Sequence, residues 1–368
     1  MGRLPEGRGR AAALIAASVI VIGAASLAYL HPTLTTRTSG PSAVSIKPSL
    51  VTSNLITYDF VSPLLGWAVE TQAGQFRVYR TTDGAKHWQK QLDLGSSFAG
   101  FFPISVQFLD HDHGFVGVGD PFEQLNRTSD GGTTWDSLPL PTGSASIDGL
   151  AFSSSSYGWL LVGGQARTLY ATSDAGSTWR RLPDPPADAY NLGFRNSAEV
   201  WLGSAGLQVP HVYRSTDAGQ SWQRHDLPPP PGRSWMGGPY FPASVNLLPG
   251  GGVVASMPPL SQPETTSNLS FTSFDQGTTW RYTPPPPGVF AFQDALHWWA
   301  MKGTSLFKSS DAGQAWTLVT NALPDWQYIP HVIDAKHAWA LIFVVGGYGL
   351  ALTNDGGIHW IRGAVPQA

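Results

Sequence analysis

The chain contains no cysteine, and only 13% of its residues are charged. The missing cysteine excludes disulfides, thiolate catalysis and every cysteine-ligated metal site. Patterns with helical periodicity are scarce outside the first 30 residues. Glutamate is also scarce: Glu70, Glu123, Glu199 and Glu264 are the only four after residue 50. No glycine loop of the phosphate-cradling kind is present, and no serine sits in a nucleophile-elbow context. Residues 31–368 carry 19 Lys+Arg against 24 Asp+Glu, a net charge of −5 with no basic stripe, which argues against nucleic acid as a partner. Nothing calls for a cofactor.

Tryptophan is abundant instead, at 15 residues, with 41 Gly and 30 Pro. Short strands joined by many turns suit such a composition. Seven tryptophans end one recurring stretch: Ser or Thr, any residue, Asp, any residue, Gly, two residues, Trp. The pairs are Asp83/Trp88, Asp130/Trp135, Asp174/Trp179, Asp217/Trp222, Asp275/Trp280, Asp311/Trp316 and Asp355/Trp360. The first copy has Ala85 where glycine is expected. Apolar, β-prone residues precede each stretch and a second strand begins at the Trp, so the unit reads as a β-hairpin. The aspartate is expected to accept backbone N–H groups two residues on, while the glycine supplies a positive φ. The tryptophan leaves the turn as an apolar anchor. These residues are structural staples on this reading, with no catalytic part.

Successive aspartates lie 47, 44, 43, 58, 36 and 44 residues apart. A repeat of that length matches one four-stranded propeller blade. Within each repeat an inner strand is marked by Phe60, Phe108, Phe152, Phe194, Leu247, Phe292 or Ile333. A second strand carries Trp67, Phe115, Trp159, Trp201, Val253, Trp299 or Trp339; the third enters the box and the fourth starts at its Trp. One such blade buries too little to stand alone, whereas seven in a ring bury a continuous core. The expected fold is therefore all-β: a seven-bladed β-propeller of four-stranded antiparallel blades spanning residues 51–368.

These residues resemble the Asp-box (BNR) repeat β-propellers. The wider pattern of aromatic, turn, Gly-Trp, strand and box, clearest in Phe60…Gly66-Trp67…Asp83 and Phe152…Gly158-Trp159…Asp174, looks most like the extracytoplasmic photosystem II assembly and stability factors. Sialidases and sortilin-type receptors share the box more distantly. The resemblance implies a protein that helps to assemble a membrane complex, although that family's basic patch has no counterpart among these residues.

Ahead of the repeats, residues 1–10 form a basic tail (Arg3, Arg8, Arg10 against Glu6), followed by 20 uncharged residues, Ala11 to Leu30. That length spans a bilayer, and the positive flank should stay cytoplasmic. An uncleaved transmembrane helix is expected; Ser26-Leu27-Ala28 leaves a cleaved signal peptide as the alternative. Both place the propeller outside the cytoplasm, either on a single membrane anchor or secreted. Residues 31–50, rich in Ser, Thr and Pro, read as a linker whose end, Val44 to Val51, is placed to pair with the last blade.

Function is expected in the long loops between blades and between second and third strands, on the face away from the boxes. The expected partner contacts are Phe101, Phe102, Arg233, Trp235, Tyr240, Phe241, Trp326 and Tyr328. Exposed aromatics there suit a protein or peptide partner; the competing reading is that they fold over one another and plug the ring. A monomeric, non-enzymatic binding or assembly scaffold is the favoured function. The alternative is a glycan-binding propeller or a sialidase-like glycoside hydrolase, which needs clustered arginines and a Tyr–Glu pair. Arg80, Arg127 and Arg214 precede boxes on third strands, where the repeat explains them. Asp110-His111-Asp112-His113 has metal-ligand chemistry, but a solvated turn accounts for it more simply.

Overall fold

Each box turn forms as its residue types require, with one change of partner. In the computed structural model, Thr172 Oγ1 donates to Asp174 Oδ1 (2.8 Å) and accepts the Gly176 N–H (2.9 Å). Asp174 Oδ1 takes the Thr178 N–H at 2.9 Å, and Oδ2 takes the Thr178 hydroxyl at 2.7 Å. The amide two residues past the aspartate thus goes to the opening hydroxyl, and the carboxylate reaches four residues on. Two consecutive left-handed residues, Ala175 (φ 59°) and Gly176 (φ 84°), swing the chain into this arrangement. All seven boxes repeat the pair, and box one holds it with Gly84 (φ 72°) and Ala85 (φ 62°), a transposition that leaves the turn intact.

The structure describes residues 55–72, 75–94, 103–118, 124–141, 147–163, 167–204, 209–235, 243–257, 269–323, 330–344 and 347–366. They form seven four-stranded antiparallel sheets, each from one continuous stretch of chain. Blade one comprises Leu55–Phe60, Gly66–Gln72, Gln75–Thr81 and Gln89–Asp93. The others run Pro103–Pro139, Ile147–Arg181, Ala189–Asp226, Ser244–Thr283, Val289–Thr320 and His331–Gly363. Blade seven has four strands of its own. The pairing expected of Val44 to Val51, like the apolar run Ala11 to Leu30, lies outside the described residues. Two strand markers move by one place. Val332, opposite Ala338, takes the position that Phe108 holds opposite Gly114, and Val254 takes that of Phe115.

The hydrophobic core is seven seams, one between each neighbouring pair of blades. Each seam gathers one box tryptophan: Trp88 closes blade seven on blade one, and Trp135, Trp179, Trp222, Trp280, Trp316 and Trp360 seal the rest in turn. The Gly-Trp motif follows from this packing. A Cβ on Gly66, Gly114 or Gly158 would lie 2.4, 2.2 or 2.5 Å from the phenyl ring of its own blade's inner strand. The next residue stacks outward on the following blade: Trp67 on Phe108 at 4.0 Å and Phe115 on Phe152 at 3.6 Å between ring centres. Phe60 meets Trp339 at 6.0 Å, which completes the ring. The last described segment adds the Ala364 N–H to Ala85 O (2.7 Å) and takes the Trp88 indole N–H on Ala364 O (2.8 Å).

A cation ahead of the box latches several seams from the rim. Arg80, Arg214 and Lys308 lie over the second-strand tryptophans Trp67, Trp201 and Trp299 at 5.5, 5.6 and 3.8 Å. Their heads then reach the next blade, Arg80 to His111, Arg214 to Gln276 and Lys308 to Ala335 O. Arg127 goes furthest: one guanidinium nitrogen donates to Asp174 O (3.0 Å), Ala175 O (2.8 Å) and Ser177 Oγ (2.8 Å) of box three. The repeat does account for these arginines.

Candidate functional site

Strand alternation divides the loops between two faces. First-to-second turns and boxes share one face, and six boxes are bound to their neighbouring turn by the amide that follows the aspartate, as Ala175 N to Ser156 O at 2.9 Å. Hydrogen bonds hold the box carboxylates below their ordinary value, at about 2 for Asp130, Asp174, Asp217, Asp275 and Asp355. For Asp174 the Thr178 hydroxyl is the larger cause and its amide the next. Asp83 and Asp311 are lowered too, by the His87 side chain and the Ala315 amide respectively. Fully ionised and saturated with donors, these groups have no proton to give.

The Asp110–His113 cluster belongs to the same structural class. Asp110 Oδ1 accepts the amides of Asp112 and His113 (both 2.8 Å) and lies 3.0 Å from His113 Nδ1. Asp294 with His297 and Asp334 with His337 repeat this arrangement in blades six and seven. Ser62, Ser154 and Asn196 cap the corresponding turns of blades one, three and four. Among the described residues, no three His, Asp or Glu side chains gather to hold a metal ion. A cavity of about 200 Å³ on the rim of blades one and two, lined by Arg80, Lys90, Gln91 and Thr133, is polar; Arg80 there is already bound to His111.

The opposite face carries the loops expected to bind. Of the expected contacts, Phe101, Phe102, Tyr240, Phe241, Trp326 and Tyr328 lie outside the described residues. Arg233 is exposed, in the turn after the tetraproline Pro228–Pro231, where its amide bonds Pro230 O at 3.0 Å. Trp235 is only half-exposed. Its indole N–H donates to Leu227 O (2.8 Å), and its ring meets Phe271 at 6.0 Å against the seam of blades four and five. It therefore buttresses its loop from below, so this expected partner contact is partly core.

The same face holds two polar networks that sequence reasoning missed. Asp148 and Arg167 pair at 2.7 Å, and the Arg167 guanidinium lies 5.2 Å above the Tyr190 ring. Beside them the inner strand of blade four bulges at Asn191, which has a φ of 58°. Tyr213 donates to Asp188 (2.7 Å), and the buried His211 contacts both Tyr213 Oη (3.0 Å) and Asp188 (2.9 Å). Burial, then the Asp188 carboxylate, raises the Tyr213 phenol well above its usual range. Asp148 and Asp188 precede or open inner strands, and Arg167 and His211 stand where third strands begin, so the strand order within each blade brings each pair together; the Arg167 contact on Tyr190 crosses to the next blade.

A Tyr–Glu pair does occur, in blade one. Tyr79 donates to Glu70 at 3.1 Å, and Arg77 lies 3.5 Å from the same carboxylate. All three side chains are buried, which pushes the Tyr79 phenol up to about 12, and the cluster has one arginine. Glu199 is bound by Arg195 (3.3 Å), Arg214 (3.2 Å) and the Trp201 indole (3.0 Å).

The fold defines a seven-bladed β-propeller with box turns on one face and polar networks on the other. No protein-family model and no curated protein matches the chain. Among solved structures, the chain is similar to YCF48 bound to D1 peptide, with 17% identity over 89% of this chain and 100% of that one and a TM-score of 0.55. YCF48 from Cyanidioschyzon merolae gives 16% identity over 83% and 97%, with a TM-score of 0.55. The GH74 xyloglucanase from Xanthomonas campestris gives 18% identity over 83% of this chain but 52% of that one, with a TM-score of 0.54. At these identities the likeness is one of fold.

Proposed function

We propose that this protein is an extracytoplasmic, membrane-tethered propeller of the Asp-box kind that binds a protein or peptide segment on its inter-blade loop face, as an assembly or recognition module. One observation carries the reading: both described glutamates are taken up by partners within their own blades, and the box aspartates by their own turns. Glu70 is sealed between Tyr79 and Arg77, and Glu199 is gripped by two arginines. Glycoside hydrolysis needs two unencumbered carboxyls facing a substrate across roughly 5–10 Å. That YCF48, of the same fold, has been solved with a peptide bound supports the choice of ligand class. Arg233 is the exposed polar contact on this proposal, with Tyr240, Phe241, Trp326, Tyr328, Phe101 and Phe102 supplying aromatic area. The membrane anchor at residues 11–30 would hold that face near membrane proteins, and a membrane complex is the proposed partner.

The glycan-active reading is favoured by the xyloglucanase likeness, which covers about half of that enzyme. One experiment separates the two. The full-length protein is crosslinked in its native membrane and its partners identified, while the purified protein is incubated with xyloglucan and with sialosides. Capture of a defined membrane protein, lost in Arg233→Glu, supports the proposal; release of sugar with no such capture overturns it.

A further inference from the structure

The residue before each inner-strand marker faces the next blade, and in two seams it crosses to that blade's backbone. Gln107, in blade two, does so with both ends of its amide: Nε2 donates to Phe152 O (2.7 Å) and Oε1 accepts the Phe152 N–H (2.8 Å). Asp59 is its counterpart in blade one, because Asp59 pairs with Trp67 as Gln107 pairs with Phe115. Its Oδ2 accepts the Phe108 N–H at 2.7 Å. An ionised carboxylate can make only that half of the clamp, since it has no hydrogen to offer the Phe108 carbonyl. A neutral carboxylic acid has one and can imitate the amide.

We infer that Asp59 is a proton-dependent fastener of the seam between blades one and two: protonated, it clamps the inner strand of blade two through both N–H and C=O, and ionised, it lets half of the clamp go. Among the described residues packed around it, the charged groups are engaged elsewhere. On the second strand of blade one, Glu70 turns to the other side of the sheet, toward Tyr79 and Arg77. The inner strand Pro103–Phe108 carries no titratable side chain, and beyond it Asp110 and His113 are bound to each other. His331, at the matching position in blade seven, stacks on Trp339 (5.0 Å), on the side of Tyr58 and Phe60. Burial raises the Asp59 carboxyl to about 7, with the Phe108 and Phe60 amides pulling the other way.

The direction in pH follows. A carboxyl raised on folding contributes its full stability below its ordinary value of 3.8, and that contribution is lost as the pH climbs through 7. The seam is therefore tightest in acid surroundings and relaxes above neutrality. Whether the ring sits in an acidified compartment decides which state it occupies.

Melting temperatures of the full chain between pH 5 and 8 test this, beside carbon-13 titration of the aspartate side chains. The wild type should lose roughly 3–5 °C across that range. Asp59→Asn, which has the amide's donor at every pH, should lose much less and melt above the wild type at pH 8. One aspartate carboxyl, absent from the variant, should titrate near 7. The reverse exchange, Gln107→Glu, should add a second pH-dependent loss of the same sign. Identical pH profiles for wild type and Asp59→Asn overturn the inference, as does an Asp59 carboxyl that titrates below 5. If Asp59→Asn does not fold, a flat response in Gln107→Glu and the carbon-13 midpoint still decide.

Discussion

Arg127 offers the sharpest test of how the ring is held. Its guanidinium makes three bonds to box three, at 3.0, 2.8 and 2.8 Å, and two to Asp136, both at 3.2 Å. Arg127→Ala removes all five while leaving the apolar seam of Phe115, Phe152 and Trp179 in place. A charged hydrogen bond contributes about 1.5–3 kcal/mol when desolvated, and an exposed ion pair less than about 1 kcal/mol. The Arg127 side chain is 21% exposed and Asp136 67% exposed, so the Asp136 contacts count for little. The carbonyls of box three retain access to water once the arginine is gone. The net loss should be about 2 kcal/mol, equivalent to about 3 °C in a chain of this size. Urea unfolding measures it: the midpoint should fall with an unchanged slope, because the same surface is exposed. Arg127→Lys keeps the charge but loses the planar fork, and should recover less than half. A change under about 0.5 kcal/mol in Arg127→Ala would show that the seam holds without its latch and refute the reasoning.

Three further outcomes follow from the packing. Gly158→Ala sets a methyl group 2.5 Å from the Phe152 ring and should cost about 2–3 kcal/mol by calorimetry; a neutral effect would mean that the ring moves freely aside. Lowered box carboxylates stabilise the fold while ionised, so their contribution should be complete above pH 4 and be lost as the pH drops toward 2. Acid titration followed by circular dichroism checks that window, and Asp174→Ala should lower stability by about 1–2 kcal/mol at neutral pH without touching partner capture. Trp235→Ala should cost about 2 kcal/mol, since its ring is partly buried against the seam of blades four and five; unchanged melting with weakened capture would return it to a purely partner-facing role.

The number of blades is written in the order of residues, because a box turn is a local event. Ser/Thr, Asp and Gly at fixed offsets close it with their own side chains, and a regular spacing of such turns leaves one way to bury the intervening strands. Even the copy with Ala85 is legible as a box, since Asp83 and Trp88 keep their places, and Ala85 takes the left-handed backbone itself beside Gly84. The order of residues did not show which donor each carboxylate takes, because the answer depends on two successive positive φ angles, one of them borne by alanine or glutamine in five of the boxes. Nor did it show why Gly precedes Trp, since the glycine makes room for a ring of its own blade while the tryptophan stacks on the next.

Contacts that cross a seam arise only when the blades pack. Arg127 and box three are separated by 47 or more residues, and Gln107 and Phe152 by 45, so no local pattern pairs them. The Arg167 guanidinium over the Tyr190 ring likewise joins blade three to blade four, whereas the Asp148–Arg167 and Asp188–His211–Tyr213 networks are set inside one blade each, where sheet order brings the starts of inner and third strands to one face. Asp59 makes the point most plainly: its neighbours in sequence say nothing of its proton, which its burial in the assembled ring favours against the pull of the Phe108 amide.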